Sequence, residues 1–466
     1  MNHLSLQKIM LPGVAVSSMT TQDINTIGAR QTAASTGYWM ARISQDSSTN
    51  FRGISSRAGA TYVNHDIQDE GGIKNFAISK FNSANGTYQW TVKIPVEGNQ
   101  TNGVTCGSVK TDANGNCYAV FNRNDGTNSG QYYLFKISPN GVLIWDREVG
   151  NTTYNQYVSN LSIDGSDNIF LAGRSSTASG TKGFVAKFNT DGTLQWQKYH
   201  DIGDNEYDAS AADASGNFYG AGYTNITSGY QSGLVSKINS AGALQWSRSW
   251  YASSGATSQT RSVAVDSTLN VYSNTYFGDA SGQYGWGLRK YNSSGTLQWE
   301  RRLYQPSQFT IGQYGCVVDS SDNVYFSGYY STNSNDALYQ TGIAKYNSSG
   351  TLQWQRALQV STYTLGQELA IDSNNDIYHV FNGGASGSSA PLDLFIAKLP
   401  SDGSKTGTYT VGGMSVVYST TSMTDAATSY TTSTTSGSLV DGDMTVVNNQ
   451  FTPKTPTGFT VSQTNI

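Results

Sequence analysis

The residues best suited to acid–base or metal chemistry lie around His200, where the carboxylates Asp201, Asp204 and Glu206 follow within six residues. A histidine beside carboxylates can act as a general base or bind a metal. The remaining histidines stand at no metal-ligand spacing from it or from one another: His3, His65 and His379. Because the His200 cluster lies in a polar connection between predicted strands, we predict solvated surface charge there.

No nucleophile motif supplies an alternative centre. The chain contains no G-x-S-x-G elbow, no P-loop and no S-x-x-K. Its three cysteines, Cys106, Cys117 and Cys316, form no CxxC pair and are predicted to be buried free thiols. We therefore predict a protein that is not an enzyme and holds no metal or cofactor. Spacing along the chain does not reveal a site built from distant loops, so a polysaccharide-acting hydrolase stays as one alternative.

A repeated aspartate motif is the third candidate for chemistry. In Asp319-Ser-Ser-Asp-Asn323, an aspartate precedes a polar partner by four residues. Calcium is one interpretation, because Asp322 adds a second carboxylate, but calcium wants six to eight oxygens and a glycine at the sharp turn. We predict instead that the aspartate bonds its own turn backbone. We assign seven positions to this series: Asp46, Asp112, Asp164, Asp213, Asp266, Asp319 and Asp372.

Composition excludes several classes of protein. The chain has 466 residues and a net charge of −4, with only 13% charged residues, 50 Gly, 30 Tyr and 8 Pro. Low charge excludes a coiled coil, and the absence of a basic block argues against nucleic acid as a partner. Apolar runs are too short to span a membrane, so no membrane insertion is predicted, and 12% aromatic residues are too many for a disordered chain.

A second motif, Lys345-Tyr-Asn-Ser-Ser-Gly-Thr-Leu-Gln-Trp354, alternates with the aspartate motif at a period of about 50 to 55 residues. Its tryptophan recurs in six copies: Trp90, Trp145, Trp196, Trp246, Trp299 and Trp354. A seventh copy at Lys398 lacks the tryptophan. We predict that these indoles pack between neighbouring repeat units.

Each motif is typical of a hairpin, with Asn, Asp, Ser and Gly between runs of alternating residues. Two hairpins per unit give four antiparallel strands, which we letter a to d in chain order. Seven such units predict an all-β fold, a seven-bladed β-propeller over residues 38–413, with non-propeller extensions at 1–37 and 414–466. The last blade lacks its tryptophan, so we expect a terminal segment to supply or cover its outer strand.

Strand connections alternate between the two ends of such a ring. The repeated a–b and c–d turns share one end, the turn face, and the variable b–c and d–a connections share the other, the loop face. Tyr, Trp, Ser, Gly and Asn on the loop face are typical of recognition surfaces. We predict that aromatic residues there bind a ligand, the alternative being that they only cap the blades: Trp250, Tyr251, Tyr284, Trp286, Tyr304, Tyr329 and Tyr330.

The segment Gly342 to Arg356, followed by Ala370 to Tyr378, resembles the SBBP-type β-propeller repeat. That resemblance implies a propeller found in bacterial surface and secreted proteins and in virion proteins of tailed phages, particularly cyanophages. We therefore expect a virion protein of the tail or tail fibre that binds a host-surface glycan or protein. The alternative is a bacterial surface or secreted adhesin, outside the cell. The spacing of Ala344, Gly350 and Trp354 is also similar to the tryptophan-docking motif of quinoproteins, but no two cysteines here are adjacent.

The termini differ in composition from the repeats. Residues 1–37 form a poor secretory signal, since Pro12 interrupts a short apolar run. Residues 414–466 are rich in Ser and Thr, which fits disorder, a stalk or an extended β segment. The interspersed β-branched and aromatic residues favour the β segment. Because seven units need neither end, we expect the termini to contact other virion proteins.

Overall fold

The computed structural model describes residues 37–44, 51–68, 74–94, 104–123, 131–150, 155–227, 230–251, 257–278, 284–305, 311–331, 338–384, 392–428, 431–434, 438–441, 445–448 and 460–465. All regular secondary structure in these ranges is β-strand. The strands form seven sheets, each with four antiparallel strands that follow the predicted order a, b, c, d. The prediction of a seven-bladed, all-β propeller is therefore confirmed.

The chain enters at β1 (Trp39–Ser44) and then builds the blades in order. Blades 1 to 4 are β2 (Phe51–Arg57), β3 (Ala60–Gln68), β4 (Lys74–Asn82), β5 (Tyr88–Ile94); β6 (Val104–Thr111), β7 (Cys117–Arg123), β8 (Gln131–Ile137), β9 (Leu143–Gly150); β10 (Gln156–Ile163), β11 (Ile169–Thr177), β12 (Gly180–Phe188), β13 (Leu194–Asp201); and β14 (Asn205–Ala212), β15 (Phe218–Thr227), β16 (Tyr230–Ile238), β17 (Leu244–Tyr251).

Blades 5 to 7 follow in the same way, and a series of shorter strands comes after them. The blades are β18 (Ser258–Val265), β19 (Val271–Gly278), β20 (Tyr284–Tyr291), β21 (Leu297–Tyr304); β22 (Ile311–Val318), β23 (Val324–Ser331), β24 (Tyr339–Tyr346), β25 (Leu352–Val360); and β26 (Tyr363–Ile371), β27 (Ile377–Gly384), β28 (Asp393–Leu399). The later strands are β29 (Gly407–Val411), β30 (Met414–Thr420), β31 (Thr424–Ala427), β32 (Thr431–Thr434), β33 (Ser438–Asp441), β34 (Thr445–Asn448) and β35 (Thr460–Asn465).

The a strands form the inner wall of the ring. Each contacts the a strand of the next blade, and β26 of blade 7 contacts β2 of blade 1, so the wall is closed. The middle strands of the blades are buried on both faces, as in β28, which is buried at every residue. Outer strands alternate instead, and Leu143 to Gly150 of β9 shows partly exposed residues between buried ones. The core consequently lies between blades, where neighbouring sheets pack face to face.

Blade 7 is completed by the N-terminal strand. β1 pairs antiparallel with β28 and brings Trp39 opposite Lys398, the register that Trp354 and Lys345 have in blade 6. The Trp39 indole is fully buried and donates a hydrogen bond to the Ser83 carbonyl at 3.1 Å. The tryptophan missing from the last copy of the motif is therefore supplied by the other end of the chain. This confirms that a terminal segment closes the ring.

One member of the aspartate series was misplaced. We predicted Asp46 in the first a–b turn, but β2 and β3 of blade 1 are joined at Ala58 and Gly59. Asp46 lies in the connection from β1 to β2, outside the described residues. Its spacing to Asn50 imitates the repeat, while the strand that precedes it belongs to blade 7.

Each blade junction is held by one backbone carbonyl of the following blade. In blade 6, the Trp354 Nε1 donates to the Ser401 carbonyl at 3.2 Å, and the Lys345 ammonium donates to the same oxygen at 3.3 Å. The indole lies over Gly403, whose φ of +70° and missing side chain leave the space that the ring fills. The equivalent indole bonds join the other described junctions, from Trp90, Trp145, Trp196, Trp246 and Trp299.

The repeated aspartates stabilise the a–b turns. The Asp319 Oδ1 accepts from the backbone N–H groups of Ser321 and Asn323, both at 2.9 Å. Its Oδ2 accepts from the Tyr325 hydroxyl at 2.9 Å and lies 3.4 Å from the Lys345 ammonium. Burial alone raises the pKa of Asp319, but the hydrogen bonds from Asn323 and the others outweigh it and lower the pKa overall. The carboxylate thus links its own turn to the lysine of the junction.

The C-terminal segment runs back around the outside of the ring, and we call its strands β30 to β35 the belt. They pair antiparallel with the d strands of blades 6, 5, 4, 3, 2 and 7, in that order. Blade 1 has four described strands and no described belt partner. The belt is a backbone interaction, which Ser- and Thr-rich sequence can make without an apolar face of its own.

The belt advances by seven residues per blade. Thr420, Ala427, Thr434, Asp441 and Asn448 are spaced by seven and pair with one equivalent position of successive d strands, the second residue after the junction tryptophan. Those partners share a positive charge: Arg356, Arg301, Arg248, Lys198 and Arg147. We expected this segment to contact other virion proteins, whereas its described strands pair with the protein's own blades.

Side chains anchor the two ends of the belt. Met423 is buried in the core between blades 5 and 6, and the Gln355 side chain bonds both its N–H and its carbonyl, at 3.0 and 2.9 Å. At the other end, the Gln463 amide donates to the Asn85 carbonyl of blade 1. Since β35 also covers β1, the belt closes over the strand that closes the ring. Residues 1–36 of the predicted N-terminal arm lie outside the described residues.

Replacing Trp39 by alanine should destabilise the whole ring. We expect Trp39→Ala to lower the free energy of unfolding by about 3 to 5 kcal/mol, the usual cost of removing a buried tryptophan. Trp299→Ala, at an internal junction, should have a similar effect. Chemical denaturation of the full chain measures both. The control is Val142→Ala, since Val142 is 62% exposed; a Trp39→Ala effect as small as the control's would show that β1 does not carry the closure.

Ending the chain after Ser422 removes β31 to β35 and should leave a folded but less durable propeller. Each backbone hydrogen bond contributes about 1 kcal/mol net to stability. We therefore expect the free energy of unfolding to fall by at least about 3 kcal/mol, mainly through faster unfolding. Circular dichroism should remain that of a β protein. Unfolding rates and limited proteolysis of the d strands measure the effect. Val417→Thr, in the retained strand β30, is the control, and identical unfolding rates with and without β31 to β35 would contradict a stabilising role for these strands.

Candidate ligand-binding face

The seven aromatic candidates lie on strands of blades 4 to 6, and three of them are core residues. Trp250, Trp286 and Tyr330 are only 1%, 0% and 1% exposed. The Arg289 guanidinium lies 4.1 Å from the centre of a Trp250 ring, inside blade 5's contact with blade 4. Trp286 fills the space beside Gly342. This corrects the prediction for these three residues, because fully buried rings do not contact a ligand.

The other four candidates, Tyr251, Tyr284, Tyr304 and Tyr329, are partly exposed near the loop-face ends of their strands. Tyr284 stacks on Tyr276, with ring centres 5.6 Å apart. Rings held in this way are rigid and still present an edge or a face to solvent. These four remain candidates for ligand contact.

Tyr329 belongs to a larger group that we call the tyrosine cluster: Tyr314, Tyr329, Tyr339 and Tyr363. Tyr329 stacks on Tyr314 at 6.1 Å and meets Tyr339 edge-on at 6.0 Å. Tyr339 in turn lies 4.7 Å from Tyr363 of blade 7. Burial, followed by the charges of Tyr314 and the other tyrosines, raises the pKa of Tyr329. The cluster is therefore an aromatic, uncharged surface between blades 6 and 7.

A β-bulge interrupts every a strand at the same level. The ladder between strands a and b shifts register at Phe51/Gly53, Cys106/Val109, Val158/Asn160, Tyr207/Ala209, Thr260/Ser262, Gln313/Gly315 and Gly366/Leu369. A bulge leaves its extra residue unpaired and re-aims the side chain. Seven bulges on seven inner strands therefore place seven re-aimed positions around the centre of the ring.

The described side chains at these positions on blades 3 to 7 form what we call the bulge ring: Ser159, Asp208, Arg261, Tyr314, Gln367 and Glu368. All six are partly exposed, whereas Val158, Tyr207 and Thr260, which directly precede bulges, are buried. Ser159, Asp208, Arg261 and Glu368 contact groups of other blades, which is consistent with their position on the inner wall of the ring. No two of the first four have the same chemistry, which contrasts with the repeated turns on the opposite face.

Blades 3 and 4 hold a carboxylate with three partners. The Glu206 Oε2 lies 3.1 Å from the Arg174 guanidinium and accepts from the Tyr223 hydroxyl at 3.0 Å. Its Oε1 accepts from the Ser159 hydroxyl at 3.4 Å. The Arg174 side chain is 41% exposed and its guanidinium lies over the Tyr157 ring at 4.9 Å. Arg174 can therefore donate to a ligand from the hydrogen atoms that Glu206 does not use.

Blades 4, 5 and 6 continue the network. The Arg261 guanidinium lies 3.6 Å from the Asp208 carboxylate, and it is close enough to Tyr314 and Glu206 for electrostatic interaction. Arg261 also donates to the Gln259 side chain. Its side chain is 31% exposed, so a planar donor group faces the centre of the ring between an acid and a tyrosine.

The opposite side of the ring carries a third ion pair. The Glu368 carboxylate of blade 7 reaches the Lys110 ammonium of blade 2 at 2.8 Å, and it accepts from the Ile54 N–H of blade 1 at 3.2 Å. Burial raises the pKa of Glu368, and the charge of Lys110 opposes that rise without cancelling it. This bond ties three blades together at the centre.

Sequence reasoning missed the bulge ring, although a signal for it exists. Counting five residues back from the turn aspartates Asp164, Asp213, Asp266 and Asp319 gives Ser159, Asp208, Arg261 and Tyr314. From one repeat to the next, the side chain at this position is a hydroxyl, an acid, a base and an aromatic ring in turn. A position that varies in charge inside a repeated unit serves one blade and not all of them.

The His200 cluster is divided by the fold. His200 is buried and its Nδ1 bonds the Tyr207 hydroxyl at 2.6 Å, while the Asp201 carboxylate pairs with Lys182 at 2.9 Å on the surface. The Asp204 carboxylate accepts from the Thr181 N–H. Only Glu206 reaches the centre of the ring. The four residues therefore form no common site.

The turn carboxylates that would be the calcium ligands are engaged in hydrogen bonds. Asp322 binds the Ser267 N–H and hydroxyl of blade 5, each at 3.0 Å, so its carboxylate links neighbouring turns. Among the described residues, no three His, Cys, Asp or Glu side chains are arranged to hold a metal ion. Cys117 and Cys316 are free, and burial raises the pKa of both thiols. The described residues include no helical segment with the length and hydrophobicity of a membrane span.

Comparison with known proteins adds only distant similarities of shape. No family model and no curated protein sequence matches the chain. Among solved structures, a europium-containing methanol dehydrogenase is 10% identical, with a TM-score of 0.42, over 77% of this chain and 93% of that one. The β-propeller domain of the Trilobed protease from Pyrococcus furiosus is 8% identical, with a TM-score of 0.41, over 75% and 95%. The propeller fold itself follows from the strand pairing of this chain.

Three buried histidines should make the protein sensitive to mild acid. Burial lowers the pKa of His65, His200 and His379 to about 4 from the ordinary 6.5. The neutral forms stabilise the fold fully above about pH 6.5, and this stability is lost as the pH falls towards 4, at about 1.4 kcal/mol per pH unit for each histidine.

Chemical denaturation between pH 7 and pH 5 measures this dependence. We expect unfolding to take up close to three protons near pH 5, and His200→Phe to reduce that number by about one, since the new ring can still stack on Tyr207. An unfolding free energy that is flat between pH 7 and pH 5 would contradict the burial of these rings.

Proposed function

We propose that this protein is a non-enzymatic structural component of a phage virion, in the tail or tail fibre, whose loop face binds the host surface. The observation that carries the binding role is that the two faces of the ring differ in how their polar side chains are used. The repeated ionisable residues are engaged in turns and junctions, while side chains that differ from blade to blade gather at the bulge ring and the tyrosine cluster. The virion location is supported by the resemblance to SBBP-type repeats.

Binding suits the described carboxylates better than catalysis does. Glu206, Asp208 and Glu368 each lie within 3.6 Å of an arginine or lysine nitrogen. Each carboxylate is fixed in place by its cation and can accept hydrogen bonds from a ligand, which is useful for recognition, whereas a general acid must exchange a proton with its substrate. Partly exposed tyrosines beside such groups complete a surface that can grip a ligand.

A closed and belted ring also suits a particle exposed to the environment. The first described strand, β1, is held between β28 and β35 at blade 7, so both pairings must break before it can leave the sheet. Slow unfolding is the property that an extracellular protein needs when it is not replaced. A bacterial surface or secreted adhesin would share this need, and it is the second location that we consider.

Two measurements test the proposal. Mass spectrometry and antibody labelling of purified particles should find the protein on intact virions, and its absence there, with presence on bacterial surfaces, would favour the adhesin. Purified protein should bind host cell envelopes, and Tyr314→Ala with Tyr329→Ala should reduce binding about tenfold or more, as expected for central aromatic contacts. The matched control is Val142→Ala with Ile144→Ala, two exposed residues near the turn face. Equal loss in both double variants would contradict a binding role for the loop face.

A further inference from the structure

We propose that the bulge ring, together with Arg174, Glu206 and the tyrosine cluster, binds an uncharged sugar unit of a surface glycan. This inference rests on the proposed binding function and names the chemical class of the ligand. It is carried by three observations: the charges at the centre are compensated in pairs, they lie beside partly exposed rings, and their chemistry differs at each blade.

Charge compensation selects for a neutral ligand. On blades 2 to 7, the described groups at the centre include three carboxylates and three cations, arranged as Glu206 with Arg174, Asp208 with Arg261, and Glu368 with Lys110. A charged ligand would take one partner from a pair and leave the other charge unpaired in a partly buried site, which is costly. Hydroxyl groups donate to a carboxylate and accept from a guanidinium, so a polyol can bind without breaking a pair.

The arginine donors remain available in the paired state. Arg174 and Arg261 have side chains that are 41% and 31% exposed. Each guanidinium carries five N–H groups, more than one carboxylate can occupy. Neighbouring hydroxyl groups of a sugar ring match this planar arrangement of donors beside an acceptor oxygen. Glu206 lies between the two arginines and interacts electrostatically with both.

The aromatic residues supply the apolar half of the site. Tyr157 lies under Arg174 on blade 3, and Tyr314 stacks on Tyr329 on blade 6. The polar network of blades 3 to 5 is therefore flanked by rings. A sugar ring has an apolar C–H face and polar edges, so it can pack on a tyrosine while its hydroxyls reach the ion pairs.

Unequal blades should give one binding orientation. Ser159, Asp208, Arg261 and Tyr314 occupy equivalent positions of four successive blades but offer four different groups. A ring with identical groups would bind a ligand in several equivalent rotations. Distinct groups at equal spacing instead fix which hydroxyl meets which side chain, and so they favour one sugar configuration over its epimers.

Calorimetry with the full chain and a panel of oligosaccharides tests the inference. The panel contains neutral hexose oligomers and oligomers matched in length that carry uronic or sialic acid. We expect a neutral oligomer to bind, with a Kd that changes less than about twofold between 50 and 500 mM NaCl, because no net charge is screened. Tyr314→Ala and Asp208→Asn should each weaken binding about tenfold or more, as for central contacts in other sites.

A charge-swap variant separates an effect on binding from an effect on folding. Exchanging the pair, Asp208→Arg with Arg261→Asp, keeps the local charge balance and should preserve thermal stability while weakening sugar binding about tenfold. Val142→Ala with Ile144→Ala again serves as the control and should bind like the parent protein. Loss of stability and of binding in equal measure for every ring variant would overturn the inference.

The outcomes distinguish this inference from the proposed function. Tight binding of acidic oligomers only, with steep salt dependence, overturns the neutral-ligand inference and leaves host binding intact. Envelope binding that depends on Tyr314 but is unaffected by any glycan or by glycan removal also overturns it, because the ligand is then a protein. Absence of any envelope binding overturns the proposed binding function itself.

Discussion

Each junction between blades depends on one backbone carbonyl, which accepts a hydrogen bond from the indole of the preceding blade. In seven junctions, from Trp39 and Ser83 at the ring closure to Trp354 and Ser401 at blade 6, the bond length lies between 3.0 and 3.2 Å. Because the lysine of the same hairpin neutralises a turn aspartate nearby, one contact joins packing, charge and turn geometry. The repeated lysines and aspartates are therefore engaged in the junctions and turns. Side chains that bind a ligand have to come from positions that vary between the repeats.

The blade count could be predicted because hairpins are local. Asp319 and Tyr325, or Lys345 and Trp354, lie within ten residues of each other, so their spacing reports their contact. Ring closure is different, since Trp39 pairs across from Lys398 and nothing in the local sequence connects them. Asp46 shows the converse error, in which correct spacing occurs without the strands that would give it meaning. Long-range pairing is invisible to a spacing argument, however regular the repeat.

The candidate site at the centre of the ring could not be predicted for a related reason. No residue type marks the β-bulge in this chain, since the extra residue is Ser159, Asp208, Arg261 or Tyr314 in successive blades. Aromatic residues were visible in the sequence, but type alone did not separate Tyr329, which is partly exposed, from the adjacent Tyr330, which is buried. Alternation along β23 makes that distinction, and it requires the register of the strand. Composition thus directed the prediction to one face, and register decides which of the residues on that face are exposed.

The belt follows from a geometric property of the ring. Because all d strands run in the same direction, a segment that returns around the outside can pair antiparallel with each of them in the same register, and a seven-residue period is sufficient from blade 6 to blade 2. Such pairing uses backbone groups, so it tolerates the Ser- and Thr-rich sequence that otherwise suggests a stalk. It also covers the outer edges through which propeller blades would associate with other sheets. Ring closure and edge protection therefore follow from one arrangement, in which β1 and the belt strands pair with the outer strands of the blades. Because this pairing does not involve the loop face or the centre of the ring, residues there can vary without disturbing it.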